Sequence, residues 1–207
     1  MSSTQKPEWL SAALPMRIFV ALDIDEAIRE RISRFMEGLR GFAPDAWWVR
    51  PESLHVTLKF VGEKSPEVVE KIKEALSSVH AEGTDISFRG YGFFPGPKAA
   101  RVFWIGIASG PQLASLAKAV DETLFALGIP KEEHAFSPHL TLARGGGRSA
   151  RGERGHAPNV FQHLLEKLAA LTMPDFGPMR PREFFLYQSQ PQQGGSRYTK
   201  IAAFPLT

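Results

Sequence analysis

The chain has 207 residues, 43% hydrophobic and 23% charged, with a net charge of +3 from 25 Lys+Arg against 22 Asp+Glu. At that length about 70% of the extended-chain surface can be buried, and the composition is that of a globular protein, which excludes disorder, collagen and coiled coil. The absence of cysteine also excludes disulfide scaffolds, thiolate metal sites and cysteine nucleophiles, and fits a reducing, cytoplasmic setting.

In chain order, residues 1–15 read as a mobile tail, because they carry Glu8 and too short an apolar stretch for a secretory signal. Residues 16–207 read as a single domain. No apolar run approaches the ~20 residues of a membrane helix, so neither a membrane nor an obligate protein partner is expected. Strands are predicted over 17–22, 54–60, 86–94, 101–107, 139–143, 184–188 and 198–204 from their β-branched and aromatic content. Between them fall amphipathic helices. The first starts at Asp25 with Ile28, Ile32, Phe35, Met36 and Leu39 on one side; the second starts at Ser65 and Pro66 with Val69, Ile72, Leu76 and Val79. A third carries Leu113, Leu116, Val120, Leu124 and Leu127 and stops at Gly128, and a fourth opens at Asn159 with Val160, Phe161, Leu164, Leu165, Leu168 and Leu171. Each is one-sided and should lie on a sheet.

An internal repeat runs at an offset of 84 residues (101 − 17 and 139 − 55), matching Arg17-Ile18-Phe19 to Arg101-Val102-Phe103 and His55-Val56-Thr57-Leu58 to His139-Leu140-Thr141-Leu142. Two related half-structures are expected. A shuffled chain of this composition would contain His-x-Thr-Leu about 0.02 times, so two copies in register are not chance.

Strand alternation puts His55 and Thr57 on one face, with Leu54, Val56, Leu58 and Phe60 on the opposite, core-directed face. The second copy does the same with His139 and Thr141. If the halves pack about a pseudo-twofold axis, an imidazole and a hydroxyl from each side converge on one cleft. Arg144 falls on the core parity by strict alternation, so the strand must end or bulge there for it to reach that cleft. Two imidazoles with ordinary pKa near 6.5 form an acid–base pair. In-line displacement at phosphorus suits them: one takes a proton from water and the other gives one to the departing oxygen, while the threonine hydroxyls hold the non-bridging oxygens. This needs no metal or other cofactor. A zinc or two-metal hydrolase would want three or four ligands, yet there is no HExxH, no His-x-His and no carboxylate in either motif. His80, His134, His156 and His163 have no ligand spacing.

With these residues the chain resembles the two-histidine phosphoesterase superfamily, and within it the RNA 2′,3′-cyclic phosphodiesterases, also called 2′-5′ RNA ligases. The blocks MRIFVALDI (16–24), WVRPESLHVTLKFVGE (48–63), FFPGPKAARVFWIGI (93–107), FSPHLTLAR (136–144), FFLYQS (184–189) and IAAFPL (201–206) carry the resemblance in order. It implies an α+β, bilobal fold in which two pseudo-twofold-related antiparallel sheets line a central cleft with helices outside. It also implies hydrolysis of RNA 2′,3′-cyclic ends, or of small cyclic nucleotides, to the 2′-phosphate without a metal. His55 would be the proton donor and His139 the proton acceptor, roles that spacing leaves open, and Thr57, Thr141 and Arg144 would bind the phosphate. An RNA-binding or RNA-joining protein is the alternative, since joining is the reverse reaction on the same histidines.

Two features depart from the family. His134 and Ser137 stand where basic residues are common, and residues 145–158 form a Gly- and Arg-rich insertion. Arg148, Arg151 and Arg154 either clamp an RNA backbone or belong to a solvated linker. Four arginines and Glu153 between Ala143 and Pro158 concentrate the net charge beside the second motif. Trp47, Trp48, Phe136, Tyr187 and Tyr198 lie near cleft-forming segments, but most aromatics at strand spacing are core and no more than one or two of these are expected to touch a base, while Phe19 and Phe103 read as core.

Overall fold

Alternation along the first strand, β1 (Met16–Leu22), sends Ile18, Val20 and Leu22 into the main core and Phe19 and Ala21 into a separate small cluster on the opposite face. The computed structural model describes residues 14–145, 159–192 and 195–207. After β1 come α1 (Glu26–Leu39), β2 (Trp47–Trp48), β3 (Val56–Lys64), α2 (Pro66–Ser77), β4 (Ile86–Phe94), β5 (Val102–Ser109) and α3 (Pro111–Phe125). Then follow β6 (His139–Arg144), α4 (Gln162–Ala169), β7 (Asp175–Met179), β8 (Glu183–Gln192) and β9 (Gly195–Pro205). Short 3₁₀ turns precede β2, β3 and β5. Arg148, Arg151 and Arg154, and the tail through residue 13, lie outside the described residues.

The fold is α+β with two antiparallel sheets, ordered β3-β1-β8-β9 and β2-β6-β5-β4-β7. Their order explains how two sequence repeats build one unit. In each half a strand, helix and strand (β1-α1-β3, β5-α3-β6) pair locally, and a later strand joins the opposite sheet: β4, which follows α2, lies beside β5, and β8, which follows α4 and β7, lies beside β1. Each helix buries one stripe, for example Ile28, Ile32, Met36 and Leu39 of α1, in a single core shared by both halves. Each such side chain contributes about 1.5–3 kcal/mol by leaving water. Cutting Ile32, which has no exposed surface, to alanine would cost about 2–5 kcal/mol.

The helices are shorter than their apolar stripes suggest. Val79 is buried beyond the end of α2, and α3 closes through Ile129 N–H to Leu124 O and Gly128 at φ 80°. The fourth helix begins at Gln162 because the Asn159 carboxamide oxygen first accepts the Phe161 N–H in a turn. Strand β7 was not expected: Gly177 and Pro178 weaken its sequence signal.

Candidate active site

In β3, Ala21 faces Thr57 and Val20 faces Lys59, leaving Leu58 as an extra residue; in β6, Trp104 faces Thr141 and Phe103 faces Ala143, leaving Leu142 extra. These bulges put two consecutive residues into the interior, Leu58 with Lys59 and Leu142 with Ala143, and reverse the parity beyond them. Arg144 thereby turns to the face of His139 and Thr141. Phe60 does the same in the first half and is 56% exposed, which corrects its reading as a core residue. The sheet pairing also corrects the repeat. Ala21 and Trp104 are the partners of the two threonines, so β1 and β5 correspond at an offset of 83 (104 − 21). The matched Phe19 and Phe103 therefore face opposite ways, Phe103 into the core and Phe19 into the small cluster under His55.

Both histidines are half-buried and held alike. His55 Nδ1 lies 2.7 Å from the Ser53 carbonyl oxygen and His139 Nδ1 lies 2.8 Å from that of Ser137. A carbonyl only accepts, so each Nδ1 carries the proton and each Nε2 is left for chemistry. Burial is the largest influence on His55 and pushes its pKa down to about 4, with the positive charges of Arg144 and His139 adding to the effect and the Ser53 hydrogen bond and Asp23 opposing it. His139 is lowered from 6.5 too, first by burial and then by Arg144, against its bond to Ser137. Arg144 thus acts on both imidazoles, and His139 acts on His55, so the three form one electrostatic site. Thr57 and Thr141, two residues along each strand, share the faces of their histidines.

Aromatic rings fix both imidazoles. Phe19 lies 4.7 Å and Tyr198 5.1 Å from His55, with Tyr187 at 6.2 Å; Phe94 meets His139 edge-on at 5.0 Å. Of the five candidate aromatics, Tyr187 and Tyr198 flank His55, Trp47 stands exposed, and Trp48 and Phe136 pack on the core.

A cavity of about 310 Å³ beside His55 is lined by Asp23, Tyr187, Arg197, Tyr198 and Lys200 among others. Sequence reasoning missed the network at its edge. Asp23 takes hydrogen bonds from Lys200 at 2.5 Å, Arg29 at 2.6 Å and its neighbouring Ile24 N–H. Arg29 also donates to the carbonyl oxygen of Pro51 at 2.6 Å, clamping the turn that leads into His55. Its signal was present: Arg29 falls at helical spacing from Ile32 and Met36 on the apolar stripe of α1, where a charge needs partners. Lys59, 2% exposed, was missed too, and is held by Asp121 and the Pro130 carbonyl oxygen. Among the described residues no cluster of three or more His, Cys, Asp or Glu side chains could hold a metal, and no helix is long and apolar enough to cross a membrane.

Comparison with known proteins shows what the whole chain is similar to. The family model described as LigT like phosphoesterase matches twice in tandem, over residues 22–104 and 105–198. The chain is 37% identical to the RNA 2′,3′-cyclic phosphodiesterase of Archaeoglobus fulgidus over 91% of this chain and 99% of that one. It is 30% identical to the protein of the same name from Methanothermobacter thermautotrophicus, over 93% and 100%. A solved structure of Escherichia coli LigT with 3′-AMP superposes with a TM-score of 0.72 at 27% identity, covering 93% of this chain and 99% of that one.

Proposed function

This chain belongs to the LigT like phosphoesterase family, and from that premise we propose that it opens 2′,3′-cyclic phosphate ends of RNA, leaving a 2′-phosphomonoester. The observation that carries the mechanism is the matched orientation of the two imidazoles, each with Nδ1 tied to a carbonyl and Nε2 free. Water attacks phosphorus as His139 Nε2 takes its proton. The bond from phosphorus to the 3′ oxygen breaks as His55 Nε2 gives that oxygen a proton. Thr57, Thr141 and Arg144 hold the non-bridging oxygens while charge builds on them.

Burial and neighbouring positive charge favour the neutral ring of His55 and hold its pKa low, at about 4. An anionic phosphate reverses the second influence, so the donor gains its proton affinity as substrate arrives. The proposed reaction uses no metal: the two imidazoles supply the proton transfers and the Arg144 guanidinium the charge stabilisation. Small 2′,3′-cyclic nucleotides carry the reacting group and are substrates by the same chemistry. A cysteine-free chain fits a cytoplasmic enzyme acting on RNA ends.

The test is product analysis of an oligonucleotide ending in a 2′,3′-cyclic phosphate, with EDTA present. A 2′-phosphate end is expected. An end that stays intact while the RNA is bound would overturn the enzyme reading, and a need for added metal would overturn the mechanism.

A further inference from the structure

Trp47 and Trp48 are neighbours in sequence and opposites in environment. Trp48 turns inward: its indole N–H donates to the Ala43 carbonyl oxygen at 3.0 Å, and its ring meets Phe103 edge-on at 6.0 Å. Alternation sends Trp47 the other way, and it is 52% exposed. Trp47 pairs directly across from Arg144, so the two side chains rise from the same face of the sheet, roughly 5 Å apart at the backbone. A cavity of about 210 Å³ lies there, lined by Trp47, Arg144, Arg50, Ser53, Ser196 and Tyr198 among others. It reaches from the edge of one sheet to the last strand of the other. The indole rests against Gly195, where an added Cβ would come within 3.4 Å of Trp47 Nε1 and where φ of 137° favours glycine.

We propose that this cavity receives the base of the 3′-terminal nucleoside, stacked on Trp47, when its phosphate lies between the two histidines and Arg144. The inference rests on the cyclic phosphodiesterase reading and adds a base subsite to it. A phosphate contact orients a nucleotide and a base contact discriminates between nucleotides. Trp47 is one cross-strand neighbour from the phosphate-facing Arg144, a spacing that a nucleotide spans. Stacking accepts any base but strengthens with ring area, so purines are favoured over pyrimidines.

The experiment measures binding of 2′,3′-cyclic AMP, 2′,3′-cyclic CMP and inorganic phosphate to the wild type, Trp47→Phe, Trp47→Ala and Phe60→Ala. Loss of a stacked ring weakens binding about 5- to 150-fold. Trp47→Ala should show such a loss for cyclic AMP, a smaller one for cyclic CMP, and less than about a twofold change for phosphate. Trp47→Phe should keep most of the affinity for cyclic AMP while losing much of the indole fluorescence quenching that the ligand causes in the wild type. Equal affinity of Trp47→Ala and wild type for cyclic AMP would overturn the proposal. So would an equal loss for cyclic AMP and phosphate, or a loss found in Phe60→Ala alone. Failure of the cyclic phosphodiesterase reading is a separate outcome: the wild type would bind phosphate yet neither bind nor open any cyclic nucleotide, and the base subsite would fall with it.

Discussion

Arg144 on β6 occupies the position that Phe60 holds on β3, each one residue beyond a bulge that carries two consecutive residues into the interior. The repeat thus builds a symmetric frame and fills one equivalent place with a cation and the other with a ring. The cleft is polarised: Phe60 lies 6.1 Å from Phe19 in the aromatic cluster under His55, while Arg144 depresses the proton affinity of both histidines.

Arg144→Ala is expected to lower kcat/KM by about 10- to 100-fold, the worth of one charged hydrogen bond to the transition state at about 1.5–3 kcal/mol. Arg144→Lys should recover only part of that, because a point charge replaces a planar fork. Steady-state kinetics on 2′,3′-cyclic AMP measure both. Wild-type kcat/KM in Arg144→Ala would remove the arginine from the site.

The two histidine roles separate by leaving group. A cyclic substrate with sulfur in place of the 3′ bridging oxygen releases a thiolate that needs no proton. His55→Ala should recover most of its lost rate on this substrate, whereas His139→Ala should stay at least ~100-fold impaired, because water still needs a base. The opposite pattern would exchange the roles.

In the free enzyme one histidine must be protonated and the other neutral. His55 is held at about 4 and His139 below 6.5, so kcat/KM should follow a bell that peaks between about 4 and 6.5. Activity falls on the acid side as the acceptor gains a proton and on the alkaline side as the donor loses one; the two limbs belong to the pair. The kcat profile, measured with the anion bound, should lie at higher pH. A kcat/KM maximum above pH 7 would contradict the low proton affinities.

Lys59 joins β3 to α3 through Asp121 and to the chain beyond α3 through the Pro130 carbonyl oxygen. Lys59→Met should destabilise the protein by about 3–5 kcal/mol because Asp121 loses its buried partner, and Lys59→Met with Asp121→Asn should recover part of the loss. Denaturant unfolding gives both values. A single variant as stable as the wild type would make the pair energetically idle.

Much of this site was legible because two His-x-Thr motifs recur in one register, and alternation alone puts each histidine and threonine on a common face. The repeat also announced two related halves. Other features depend on contacts that no local pattern encodes. The offset of 84 holds for the histidines, but β1 and β5 correspond at 83 (104 − 21), so Phe19 and Phe103, both buried as expected, fill different clusters on opposite faces. Strict alternation likewise put Phe60 in the core, whereas the Leu58 bulge turns it out. Lys59 could not be singled out locally because its partner Asp121 is 62 residues away. Asp23 and Arg29 become part of the site only when β9 delivers Lys200 and α1 packs over the turn before His55.

The most direct measurement is turnover of a 2′,3′-cyclic-ended oligonucleotide by His55→Ala and by His139→Ala, each checked for wild-type folding. Each variant should lose at least ~100-fold in kcat, with RNA binding retained. Wild-type turnover in either one would contradict two-histidine catalysis.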